Sequence, residues 1–251
     1  MRKKIKQLHI SYFRDMVNSC PDIRPGSRRT GGAVVSVVAL FENNKRVEVH
    51  QTNTDRGKEL VLINKKCEEY KRILITLEAE WVGLYGEPCE KMKIRHFGNT
   101  QNRMLFDSLK ERGNSYKFSE NSVLYHGKQY RSKLEADFAK IMDEYGILYK
   151  YEPGVELFGN ITKYPDFVIY LPWLDLLIMV EIFGRCEDPG YLEDNKDKFH
   201  DYLLSGWIPG YNMLSFFYDD RTPYIREMIM EEIETVELRK CMILCQPKGN
   251  G

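Results

Sequence analysis

The chain has 251 residues, of which 43% are hydrophobic and 12% aromatic. That is enough apolar content to bury a core, so a disordered or fibrous chain is excluded and one large domain, or one domain with an appendage, is expected. The 37 basic and 37 acidic residues cancel, yet residues 1–112 carry 22 Lys+Arg against 14 Asp+Glu while the remainder carries 15 against 23. A basic front and an acidic back suit a chain that holds a polyanion with one part and metal cations with the other, although unevenly charged solvated helix faces produce the same count. The start, MRKKIKQLHISYF, lacks the apolar segment and small-residue cleavage site of a secretory leader. The longest apolar runs, GAVVSVVALF and LPWLDLLIMV, are about ten residues each, roughly half a membrane span. A cytoplasmic protein with no membrane partner is expected. Six cysteines (Cys20, Cys67, Cys89, Cys186, Cys241, Cys245) show no CxxC pair or zinc spacing, so reduced, mostly structural thiols are expected.

In chain order, residues 33–50 form two β-rich runs around Asn43 and Asn44, which tolerate the positive φ of a tight turn, and so predict a hairpin. From Thr54 onward Leu60, Ile63, Cys67, Tyr70, Leu74, Leu77 and Trp81 recur at helical spacing, with Lys65, Lys66, Lys71 and Arg72 on a basic flank. The stretch from Gly83 to Glu120 is charged, weakly periodic and rich in Gly and Asn. It predicts a linker containing at most a short helix. RSKLEADFAKIMDEYG then predicts a helix with Ser132 as N-cap and Gly146 as C-cap. Strand-like runs follow at ILYKYE, GVELF, DFVIY and LDLLIMVEIF, expected to share one sheet. The last is apolar almost throughout, as a central strand should be. Asp188 and Pro189 open a helix through Leu204, followed by a strand at NMLSFFY and a helix from about Thr222 to Thr235. No repeat is visible.

Asp166 starts one strand directly after Pro165, and Glu181 lies near the end of the next. Adjacent strands bring them together, and an acid buried at the end of an apolar strand pair needs something positive to compensate it. A hard divalent cation such as Mg²⁺ or Mn²⁺ does so. Two water-exposed strand-end carboxylates would have the same spacing. The run RSKLEADFAKIMDEYGILYKYEP, then YPDFVIY, then VEIFG resembles the PD-(D/E)xK, or restriction-endonuclease-like, superfamily. The later stretch EIFGRCEDPGYLEDNKDKFHDYLLSGWIPG further resembles a bacterial and phage subgroup of uncharacterised members. The likeness covers residues 123 to about 220 of a core placed between residues 123 and 236. It implies an α/β (α+β) fold with a central mixed sheet flanked by helices. The basic region 1–112, a hairpin and a long helix, would precede a nuclease-like domain at 113–251.

The same resemblance implies that Asp166, Glu181 and the carbonyl of Ile182 hold Mg²⁺ or Mn²⁺, that Glu135 assists from the helix, and that the reaction is phosphodiester hydrolysis in nucleic acid, DNA being the expected substrate. A homodimer is compatible with it. One position departs from the pattern: Phe183 stands where the motif has lysine. Either activity is lost or the lysine has moved, and helical phase selects between two candidates on the helix 189–204. Lys198 falls about 20° from Tyr191 and 40° from Tyr202, on the stripe that should face the sheet, whereas Lys196 points some 160° away from Lys198. Lys198 is therefore expected to reach the site and orient the attacking water, with Lys150 and Lys163 as weaker substitutes. Arg185, just beyond the strand, is a candidate phosphate contact, as are Lys65, Lys66, Lys71 and Arg72. The rival readings are a non-catalytic nucleic-acid-binding module of the same fold, and a structural or partner-binding protein whose Phe216, Phe217, Tyr218 and Tyr224 serve as core or interface. A serine hydrolase has no GxSxG elbow to support it.

Overall fold

The computed structural model of the chain describes residues 2–113, 120–184, 188–218 and 226–244. The chain divides into two compact units, Lys6–Lys93 and the remainder from Ile94 onward together with Met1–Ile5. Among the described residues there are six helices and several open sheets, an α+β architecture. None of these helices is long and apolar enough to cross a membrane.

The first unit contains most of α1 (Arg2–Asn18), an antiparallel meander of β1 (Asp22–Thr30), β2 (Ala33–Glu42) and β3 (Lys45–Gln51), and then α2 (Asp55–Tyr85). The expected hairpin is β2–β3, turned by Asn43 and Asn44 at φ 50° and 60°. No element is legible before residue 33. β1 carries Pro25, Gly26 and no apolar alternation, and it is a strand because β2 offers it a continuous ladder from Asp22–Phe41 to Thr30–Ala33. Thr54 caps α2, its hydroxyl accepting the Gly57 N–H at 3.1 Å. A Cβ at Gly57 would overlap the Gln51 carbonyl oxygen, so the first turn of α2 needs glycine to pack beside the end of β3. α2 buries Leu60, Cys67, Ile73, Leu77 and Trp81. Leu60 closes a small core with Ile23 and Val38. One expectation is corrected here: Cys20 and Cys67 form a disulfide, with Cα atoms 5.9 Å apart. Their separation of 47 residues has no local signature. The pairing depends on α1 lying along α2, where Phe13 meets Tyr70 edge-on and Arg14 reaches Glu78 at 2.7 Å.

The second unit begins within the expected linker and runs α3 (Gln101–Ser108), β4 (Val123–Tyr125), β5 (Lys128–Tyr130), α4 (Lys133–Tyr145), β6 (Leu148–Tyr151), β7 (Val155–Leu157), β8 (Ile161–Lys163), β9 (Phe167–Leu171), β10 (Leu176–Phe183), α5 (Pro189–Leu204), β11 (Met213–Phe217) and α6 (Arg226–Leu244). α3 belongs to this unit, its Phe106 stacking on Tyr170 of β9. The main sheet has the order β11-β10-β9-β6, with β10 and β11 parallel and the other pairs antiparallel. All eight residues of β10 are buried, which explains its unbroken apolar run. The expectation that GVELF joins this sheet is overturned, because β7 pairs with β8 as a separate hairpin. Glu152 at φ 44°, followed by Pro153 and Gly154, turns the chain out of the sheet after β6. α4 is capped at Ser132 and Gly146 as the sequence predicts. The described part of the last helix extends to Leu244, and its expected start at Thr222 lies outside the described residues.

Candidate functional site

The register of the main sheet assembles the site. β9 and β10 pair Phe167 with Val180, so Asp166 and Glu181 are the next facing positions. β6 and β9 pair Tyr151 with Phe167, and the Glu152 N–H donates to the Asp166 carbonyl oxygen at 2.9 Å. Facing residues of neighbouring strands lie on one face of a sheet, which puts Glu152, Asp166 and Glu181 in a row across three strands. All three are buried, at 3%, 5% and 2% exposure, and Glu135 of α4 joins them at 6%. Glu135, Asp166 and Glu181, with Arg131, Lys198, Ile182 and Phe183, line a cleft of about 750 Å³.

Each carboxylate is held by specific donors. Asp166 Oδ2 accepts the Ile182 N–H at 2.7 Å, and its Oδ1 lies 2.7 Å from the Arg131 guanidinium. Arg131 Nε also reaches Glu152 at 2.8 Å. Glu135 folds back over the start of α4: its Oε2 accepts the Arg131 backbone N–H at 2.9 Å and the Tyr151 hydroxyl at 2.6 Å. Glu181 accepts from the Tyr202 hydroxyl at 2.6 Å, and the Lys198 ammonium stands 2.8 Å from it. Lys198 therefore turns inward on α5 together with Tyr202. Lys196 pairs with Glu193 at the exposed surface. Neither weaker substitute is found on the row: Lys163 pairs with Asp201, and Lys150 lies over the Phe106 ring. Phe183 is 2% exposed and stacks between Phe199 and Phe217, so the motif position serves the core.

Electrostatics show what the cluster lacks. Among the described residues the four buried carboxylates form ion pairs with two cations, Arg131 and Lys198, which leaves two negative charges unmatched by an ion-pair partner when all four are ionised. Burial, with Asp166 beside it, pushes Glu181 up to about 8 despite Lys198 and Tyr202. Burial and Asp166 also raise Glu135 against the opposing pull of Arg131. Burial raises Glu152 as well, more than Arg131 lowers it. A cluster in this state sheds charge by taking up protons unless another cation arrives. Ser215, the register partner of Glu181 on β11, has a buried hydroxyl oxygen with no hydrogen bond among the described residues.

The charge excess and the oxygen-only donor set fit a hard divalent cation. Among the described residues, however, no three His, Cys, Asp or Glu side chains are gathered around one metal position. Arg131 and Lys198 take the oxygens of Asp166, Glu152 and Glu181 that a cation would use.

Of the candidates named from sequence, Asp166, Glu181, Ile182, Glu135 and Lys198 are brought together. Lys65, Lys66, Lys71 and Arg72 are exposed on α2 in the other unit, Lys71 pairing with Glu68 at 2.7 Å. Arg185 and Tyr224, and the side chain of Tyr191, lie outside the described residues. Sequence reasoning missed Arg131, Glu152 and Tyr151 as parts of the site. A basic residue just before the α4 N-cap, and an acid between an aromatic strand and a proline, were the only signals for them.

Comparison with protein-family models, curated proteins and solved structures returns no match to this chain.

Proposed function

We propose that the chain is a metal-dependent nuclease with a PD-(D/E)xK-like core, acting on phosphodiester bonds of nucleic acid, with DNA as the substrate. The observation that carries this reading is the facing pair Asp166 and Glu181 with the Lys198 ammonium 2.8 Å from Glu181. A lysine on an apolar helix face is unfavourable unless an anion meets it, and here it supplies the positive charge that Phe183 cannot. The order α4, β6, β9, β10, α5, β11 supports the same reading, since it places the helix glutamate before the two strands that carry the acids.

Asp166, Glu181 and the Ile182 carbonyl would hold Mg²⁺ or Mn²⁺, with Glu135 and Glu152 flanking them. The cation would supply Lewis-acid polarisation of the phosphate and a lowered pKa for water. The remaining work falls to the protein. Tyr202 fixes one oxygen of Glu181, leaving Lys198 to offset charge on the attacked phosphate. With a cation on Asp166, Arg131 would stay held through its Nε by Glu152 and would have the guanidinium edge that now meets Asp166 available for a phosphate.

Incubating the purified chain with labelled single- and double-stranded DNA and RNA, with Mg²⁺, Mn²⁺ or EDTA, tests the proposal. Cleavage that requires the cation and disappears in Asp166→Asn and Glu181→Gln is the expected result. The Arg131–Asp166 ion pair and Phe183 favour one alternative, a binding module of the same fold without catalysis. Nucleic-acid binding with no cleavage under either cation would establish that alternative instead.

A further inference from the structure

The hairpin β1–β2 outruns the sheet in which it starts. β3 pairs with β2 only from Val37 to Glu42, whereas β1 stays paired with β2 out to Thr30–Ala33. Beyond the three-stranded part the ribbon consists of Ser27–Thr30 against residues 33–36. Every residue there is exposed except Val35, which is half-buried, and Val34 is 66% exposed. A free two-stranded ribbon is marginal in water. This one is anchored at its base, where Ile23, Val38 and Leu60 form a core. Gly31 and Gly32, at φ 58° and 84°, make the tip a tight two-residue turn. An extension that buries nothing at its tip contributes little to folding, so its use lies outward.

Its chemistry is one-sided. Between Asp22 and Glu42 the sequence has three arginines and no acid. Arg24, at the base, is held by Asp22 at 2.6 Å and lies over the Phe41 ring. Arg28 and Arg29 make no side-chain hydrogen bond or ion pair among the described residues. Arg28 is paired with Val35 and Arg29 with Val34, so the two guanidinium groups leave opposite faces of the ribbon. The residues between them at the tip, Thr30, Gly31, Gly32 and Ala33, are small, which leaves the tip slender and without the bulky apolar groups that insert into lipid.

We propose that the β1–β2 ribbon is a duplex-DNA arm that enters a groove and sets Arg28 and Arg29 against phosphates on its two sides. The inference rests on the nucleic-acid half of the proposed function. Two strands about 4.8 Å apart, with side chains on both faces, match the major groove of B-DNA, roughly 12 Å wide, which admits a two-stranded ribbon. The deep, narrow major groove of A-form RNA does not.

The test is fluorescence anisotropy of a short labelled DNA duplex with the full chain in EDTA, comparing the wild type with Arg28→Ala/Arg29→Ala. The double variant should bind roughly tenfold more weakly, with a slope of log affinity against log salt about two units shallower. Its thermal unfolding midpoint should be unchanged, and Arg28→Lys/Arg29→Lys should recover most of the affinity. Unchanged affinity and slope in the alanine pair overturn the arm. So does tighter wild-type binding to the RNA duplex of the same sequence, or to phosphatidylserine vesicles, when that binding disappears in the pair. Metal-dependent cleavage by the wild type alongside an alanine pair that binds normally overturns the arm alone. Binding that depends on the arginine pair, without cleavage in Mg²⁺ or Mn²⁺, supports the arm and overturns the nuclease.

Discussion

In the second unit, Glu135, Glu152, Asp166 and Glu181 are 2% to 6% exposed and share two basic partners, while in the first unit Arg28, Arg29, Lys65 and Lys66 stand in water. Both regions are rich in charge, but the free energies differ. A buried carboxylate must be neutralised by a proton, a side chain or an ion. An exposed cation costs almost nothing and stabilises almost nothing. The buried row therefore has to be balanced from within its own unit, whereas the exposed cations need no partner in the fold.

The largest effect that separates the two regions is catalytic. Lys198→Ala should lower metal-dependent cleavage by about 10²–10³-fold, the usual loss when one transition-state donor is removed. Lys196→Ala, at an exposed ion pair, should leave the rate within about twofold. Single-turnover kinetics on a labelled substrate checks both, and equal behaviour of the two variants would remove Lys198 from the mechanism.

The first unit is tied by a covalent link rather than by buried charge. Cys20→Ser, or reduction, should cost about 2–4 kcal/mol in urea unfolding by releasing the constraint on the intervening chain. Arg131→Ala should cost less, about 1–3 kcal/mol at neutral pH, because its side chain is 42% exposed and water can partly replace it. Removing it strips a cation from Glu152, Asp166 and Glu135. The deficit relative to wild type should shrink as the pH falls and the carboxylates take up protons.

A divalent cation should stabilise the second unit in a pH-dependent way. Glu181 is raised to about 8 from an ordinary value of 4.5, so the folded state holds a proton that the unfolded chain has released. Stability of the metal-free protein from this group is therefore greatest below about 4.5 and falls as pH rises towards 8. A cation competes with that proton, so the rise in unfolding temperature on adding Mg²⁺ should be larger at pH 8.5 than at pH 6. Equal shifts at both pH values would mean that Glu181 is not a ligand. The smallest effect is on α2, where replacing Lys65, Lys66, Lys71 or Arg72 with alanine should change stability by less than about 0.5 kcal/mol each. Every one of these cations that meets a phosphate should, once replaced, flatten the salt dependence of nucleic-acid binding by about one unit.

Periodicity alone made much of this protein legible. The caps of α4 at Ser132 and Gly146, the Asn43–Asn44 turn, the apolar run of β10 and the inward phase of Lys198 are all written within a few residues of sequence. Such features arise from local geometry, which repeats at 2 or 3.6 residues whatever the rest of the chain does. The facing of Asp166 and Glu181 was accessible for a related reason, since two strands joined by a short turn bring their far ends together. Tertiary structure alone decided the rest. β1 is a strand only because β2 pairs with it, and Cys20 finds Cys67 only because α1 lies along α2. Glu152 enters the carboxylate row through the β6–β9 register and a left-handed residue that ends the strand, and Arg131 reaches Asp166 because α4 begins beside that row. The disulfide spans 47 residues and the Arg131–Asp166 pair 35, and no local pattern specifies which distant group will neutralise a buried charge.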